Sequence, residues 1–265
     1  MHPFFIPLPK KKRTTAPFSQ NNSYICAYRY HTLLFYRRSL MKTVIKFLEQ
    51  LERNNNRTWF TAHKDEYRAA QTLFDNLTEQ LITGIASFDE RIKDLTVKDC
   101  TYRIYRDTRF SSDKSPYKTH IGAFICPGGK KSGFAGYYFQ VGPEENGYNS
   151  GNMLASGHYM MEPQALRTLR EDICNGDGDF EQALRQAPDF QLDNDNKLKR
   201  VPNGYPRDTA FSEYLKYRTY CLVCSPGKDF ALTNNLAERT IELFRTTYPF
   251  VEYINRAIAF TRDEL

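Results

Sequence analysis

From Thr43 the apolar residues Val44, Phe47, Leu48 and Leu51 fall at i, i+3, i+4 and i+7, a spacing that gathers them on one side of a helix. Asn54-Asn55-Asn56 marks its end. A longer helix is predicted from about Lys64 to Ser87, with Tyr67, Ala70, Phe74, Leu77, Leu81 and Ile85 as its stripe. Trp59-Phe60, between the two, reads as a core anchor. The pattern then shortens. Segments 101–110, 119–126, 135–142 and 148–155 are aromatic or β-branched and are separated by turns such as Pro127-Gly-Gly and Gly147, which predicts an antiparallel meander. Helices are predicted again at 162–173, opened by Glu162-Pro163, and at about 178–186. The polar stretch Asp193-Asn-Asp-Asn reads as a loop. It leads to a short helix near 211–217, a strand at 218–224, and helices from 234 to 260 interrupted by Pro249. Helices, strands, helices, one strand, helices: this order argues for a single α+β domain over 41–265, with a central, mainly antiparallel sheet flanked by N- and C-terminal helices.

Composition changes the picture at one end. The 265-residue chain carries a formal charge of +6. Residues 1–40 hold three Lys, four Arg and no acid, so that the remainder is close to neutral. We read residues 1–40 as a non-native or disordered basic extension ahead of a start at Met41, with a transit peptide as the alternative. No apolar run approaches the roughly 18 residues of a membrane span. The 19 Phe and 18 Tyr argue against a disordered chain. Five cysteines follow residue 40, an odd number at irregular spacing. This predicts reduced thiols and a cytoplasmic setting. Cys221 and Cys224 have redox or zinc spacing, but on a strand they point to opposite faces and read as core thiols.

Positive charge is concentrated in Arg103-Ile-Tyr-Arg106-Asp107-Thr-Arg109-Phe110-Ser-Ser-Asp113-Lys114-Ser-Pro-Tyr117-Lys118-Thr-His120, five cations against two anions. A guanidinium offers a planar fork of donors that matches a carboxylate or phosphate bidentately. On a strand Arg103, Tyr105, Asp107 and Arg109 would share one face, with Asp107 bracing the arginines and their outer donors reaching an anion. The candidate ligand-binding set is therefore Arg103, Arg106, Arg109, Lys114 and Tyr117. His120 and Asp107 are the candidate proton carriers if the site is catalytic. The same pattern also fits a structural salt-bridge ladder in a non-catalytic interaction module that docks on an acidic protein surface. A third reading is RNA stacking on Tyr102, Tyr105, Phe110 and Tyr117, but the near-neutral body argues against nucleic acid. His63, His120 and His158 lack metal-ligand spacing, so no metal is expected. No P-loop, dinucleotide or nucleophile-elbow motif names a cofactor or a reaction. Pro127-Gly-Gly-Lys-Lys-Ser-Gly is basic and glycine-rich but lies between predicted strands, so it reads as a hairpin loop and not a phosphate cradle.

The segment from Arg103 to His120 resembles the signature of a bacterial and fungal family known as domain of unknown function 2461. Asn56-Arg-Thr-Trp59-Phe60-Thr-Ala-His63-Lys64, Gly157-His-Tyr-Met-Met-Glu162-Pro163, Val201-Pro-Asn-Gly204-Tyr205, Tyr214-Leu-Lys216 and the C-terminal helix are similar to it as well. The resemblance covers about 43 to 260. It implies a stand-alone cytoplasmic domain and carries over no activity.

Overall fold

The computed structural model describes residues 41–143 and 151–262. The expectations for residues 1–40 and for the turn at Gly147 lie outside these. Helix α1 occupies 41–53 and buries Val44, Phe47, Leu48 and Leu51, as the spacing requires. Asn56 then caps a short helix that the sequence pattern did not reveal, α2 (Arg57–Ala62), by accepting from the Trp59 amide at 2.9 Å. Phe60 is buried and Trp59 is partly buried, its ring stacked 4.0 Å from that of His63. The long helix α3 (Lys64–Ala86) follows and buries its stripe from Ala70 to Ile85. The last helix of this half is α4 (Val97–Cys100), held by a capping box between Thr96 and Asp99.

The sheet has five strands: β1 (Ile121–Ile125), β2 (Gly136–Val141), β3 (Met153–His158), β4 (Gln191–Leu192) and β5 (Tyr220–Cys224). Their order is β1-β2-β3-β5-β4, and every pairing is antiparallel. Between β3 and β4 lie α5 (Pro163–Asn175), with proline in its first turn, and α6 (Asp179–Arg185). The chain closes with α7 (Leu236–Thr261). This helix packs on β3, α3, α5 and α6, so the helices gather on one face of the sheet. Phe74 of α3 stacks on Phe139 of β2 with ring centroids 6.0 Å apart, and Phe244 of α7 lies 5.4 Å from Tyr137. The Thr247 hydroxyl donates to Ser156 Oγ at 2.7 Å in the buried layer between α7 and β3. Gly157 is required where β3 meets β5. Its φ is +125°, and a Cβ there would sit 2.1 Å from the Tyr220 carbonyl oxygen.

Four expectations are corrected. Residues 101–110 do not form a strand; their strand-type pairing is confined to isolated bridges, Thr101 to Ala123 and Tyr105 to Tyr117. Polar side chains in this segment bond to nearby backbone and fold it into a turn, in competition with a ladder. The third strand begins at Met153 and runs on to His158, whereas the pattern suggested 148–155. The helix near 211–217 contracts to a single 3-10 turn, Tyr214–Lys216. Pro249 does not interrupt α7. Phe244, Thr247, Phe250, Val251 and Ile254 are buried on both sides of it, and this packing outweighs the roughly 3 kcal/mol that an internal proline costs. The two-residue strand β4 is too short to carry any period.

Candidate functional site

The sheet face turned away from the helices carries a concavity of about 600 Å³. Strand register builds its floor. Phe124, Tyr138, Ala155 and Val223 stand side by side across β1, β2, β3 and β5, with Gln140 opposite Met153 in the next row. The floor's polar atoms are tied to one another. Tyr138 Oη donates to Gln140 Oε1 at 2.8 Å, and Gln140 Nε2 donates to the Gly151 carbonyl at 2.9 Å. The phenol also lies over Gly122, where a Cβ would meet its oxygen at 2.6 Å.

Charge is distributed unevenly around this floor. Lys118 and His120 precede β1, and Lys130 and Lys131 follow it in the β1–β2 hairpin, so the three lysines bracket one edge strand. His158 stands at the end of β3, and Cys221 and Val223 of β5 line the far side. Among the described residues no Asp or Glu lines the concavity. The Lys118 ammonium lies 5.3 Å from the Tyr102 ring centroid, and burial followed by the neighbouring Arg103 charge lowers its pKa. The Lys130 ammonium also donates to the Lys98 carbonyl. Burial raises the pKa values of the Tyr102 and Tyr138 phenols and pushes the Cys221 thiol up to about 12, so these groups are neutral. His158 Nε2 is 3.0 Å from the Gly133 carbonyl. A carbonyl only accepts, so this nitrogen carries the proton. The hairpin that holds Gly133 is fastened from α7 by Arg262, which donates to the Ser132 carbonyl at 2.8 Å.

The residues singled out by the sequence divide between this concavity and a separate turn. His120 lines the concavity. Arg103, Arg106, Asp107, Arg109, Lys114 and Tyr117 do not. Arg106 pairs with Asp113 and reaches the Ser115 carbonyl. Arg109 holds Asp107 through Nη2 at 2.7 Å and Nε at 3.0 Å. Lys114 donates to the Thr108 carbonyl at 3.0 Å, and Arg103 is exposed. Arg106 and Arg109 are thus held in two separate pairs, Arg106 with Asp113 and Arg109 with Asp107, and Arg103 acts on Asp107 only through its charge. The Asp107 carboxyl is lowered by its Arg109 bond. Asp113 is lowered by the Ser115 amide, the Ser115 hydroxyl and Arg106. Tyr117, expected to complete a pocket, is instead a core residue. Its ring stacks on Phe60 with centroids 4.0 Å apart, and its backbone exchanges two hydrogen bonds with the Asn55 side chain. These contacts root the turn on α2.

The sequence reading missed the floor and the hairpin lysines. The available signal was Ile121-Gly-Ala-Phe-Ile, which is apolar on both faces where a half-covered strand would alternate. Cys221 and Cys224 do lie on opposite faces, and the five described thiols are free. Among the described residues no group of three or more His, Cys, Asp and Glu is placed to hold a metal ion, and no helix is long and apolar enough to cross a membrane. No curated protein and no solved structure shows significant similarity to the chain. A family model described as conserved hypothetical protein (DUF2461) matches residues 43–253, nearly all of the folded body, and the chain belongs to that family.

Proposed function

We propose that the protein binds a small anionic ligand, phosphate- or carboxylate-bearing, in the concavity on the sheet face turned away from the helices. The observation that carries this is the sign of the lining: among the described residues it holds three lysines and no carboxylate. A low-dielectric floor beneath such a rim strengthens attraction for an anion. In this reading the basic segment contributes through its far end, Lys118 and His120. Arg106, Arg109 and Lys114 shape the turn that presents that end, and Arg103 adds its field to Lys118. If binding leads to chemistry, His120 is the proton carrier at the site, because Asp107 is engaged by Arg109 outside it.

The test is a melting-temperature titration of the full chain with inorganic phosphate, acetate and a panel of organic phosphates and carboxylates. A ligand at 100 times its Kd adds about 2.7 kcal/mol of stability. We expect Lys118→Ala combined with Lys131→Ala to weaken binding tenfold or more and Arg109→Ala to leave it unchanged. The reverse ranking would return the site to the arginine turn. A second reading rests on Phe110, which is 95% exposed at the tip of that turn beside Arg109. An aromatic displayed on a cationic loop suits docking on an acidic protein surface. Loss of a partner on Phe110→Ser, with anion binding intact, would support this role.

A further inference from the structure

The rim fixes the sign of the ligand, and the floor specifies the rest of it. Across the strand row Phe124–Tyr138–Ala155–Val223 the surface is carbon, and Met153 and Cys221 add sulfur. The two polar side chains within the floor, Tyr138 and Gln140, are bonded to each other and to the Gly151 carbonyl. A sugar or nucleoside lying here would bury hydroxyls and ring nitrogens against carbon, at a cost for each unpaired group. Charge and apolar surface are also separated in space. The lysines flank β1, whereas the β3 and β5 side of the concavity is lined by Ala155, Val223, Met153 and Cys221. Neighbouring strands are about 4.8 Å apart, so the distance from β1 across to β5 is about 14 Å. A phosphate or acetate ion would occupy only the cationic edge of a 600 Å³ space.

We infer that the ligand is amphipathic: a carboxylate or phosphate head at the β1 edge, joined to an unbranched alkyl or aryl body without hydroxyl groups that lies across β2 and β3 toward β5. This rests on the anion-site reading above and adds the class of molecule. The head meets Lys118 and Lys131. The body covers Tyr138, Ala155 and Val223, replacing water on an apolar floor.

Isothermal titration of the full chain separates the two levels. The probes are acetate, hexanoate and octanoate below its micelle-forming concentration, with octanol, inorganic phosphate, octyl phosphate and glucose 6-phosphate alongside. Affinity is expected to rise by up to about fourfold for each added methylene. Octanoate should exceed octanol by tenfold or more, and octyl phosphate should exceed both phosphate and glucose 6-phosphate. Ala155→Phe, which fills the floor, should abolish octanoate binding. Val223→Thr, nearly the same size but polar, should reduce the gain per methylene while the protein melts normally. Equal affinity for acetate and octanoate, or a preference for glucose 6-phosphate, would overturn the apolar body and leave the anion site standing. Equal affinity for octanol and octanoate would overturn the anionic head. Binding of none of the probes would remove both.

Discussion

The two faces of the sheet are similar in composition and opposite in circumstance. On the inner face Phe139 packs against α3 and Tyr137 against α7, and these two with Leu154 and Leu222 are almost wholly buried. On the outer face Phe124, Tyr138 and Val223 are only partly buried, and lysines stand along one border. A strand that is apolar on both sides is normally covered on both sides. Among the described residues no helix packs over the concave part of the second side, and the loops that flank β1 stand around it. The difference teaches that the inner face is organised for stability, and the outer face is where the proposed ligand would arrive from solution.

The sharpest way to break this contrast is to truncate one aromatic on each face. Phe139 is 1% exposed, and Phe139→Ala is expected to cost about 3–5 kcal/mol, the loss of a filled core position plus the cavity left behind. Phe124 is only partly buried among the described residues, so Phe124→Ala should cost only about 1–2 kcal/mol. Urea denaturation of the two variants gives the comparison directly. Equal costs would mean that the outer face is covered in solution.

A smaller effect is expected where α7 is stitched to the start of β2. The Asn255 side chain, 2% exposed, accepts from the Ala135 amide at 2.8 Å and donates to the Ala135 carbonyl at 3.1 Å. Asn255→Leu is close in size but leaves both backbone groups unpaired in a buried layer. The expected loss is about 1–3 kcal/mol, read from the same urea curves. A variant as stable as the wild type would show that the inner face is held by shape alone.

The inner face was also the part most open to sequence reasoning. Val44, Phe47, Leu48 and Leu51 in α1 and the stripe of α3 follow a 3.6-residue period because their helices each have one buried side. Cys221 and Cys224 obeyed the two-residue alternation of a strand. The outer face was harder to see. Its floor combines one or two residues from each of four strands, and nothing along the chain indicates that Tyr138 will stand between Phe124 and Ala155. Arg106, Asp107, Arg109 and Asp113 were conspicuous because they are adjacent in sequence. That adjacency is also what lets them satisfy one another within the turn. His120, Lys130 and Lys131 all line the concavity, but a hairpin loop carries no sign in the sequence of which surface it overhangs.

The smallest expected effect lies where the two faces meet, at His158. Its Nε2 proton is committed to the Gly133 carbonyl, and Nδ1 is buried without a hydrogen-bond partner. Burial lowers the imidazole pKa below its ordinary 6.5. The Gly133 hydrogen bond opposes this shift, Arg262 reinforces it, and Glu162 pulls the other way. The unfolded chain therefore takes up this proton at a higher pH than the folded one. The stability contributed by the neutral ring is complete above the unfolded value and falls as pH drops from about 6.5 toward the folded value. One such group changes the unfolding free energy by at most about 1.4 kcal/mol per pH unit within that window. The lowered carboxyls of Asp107 and Asp113 titrate below 3.8 and lie outside it. Urea midpoints at pH 7.5 and pH 5.5 for the wild type and for His158→Gln, whose amide can still donate to Gly133, isolate the effect. The wild type should lose more stability on acidification than the variant. Equal losses would mean that a proton reaches Nδ1 in the folded protein without penalty, and His158 would then belong to the open face.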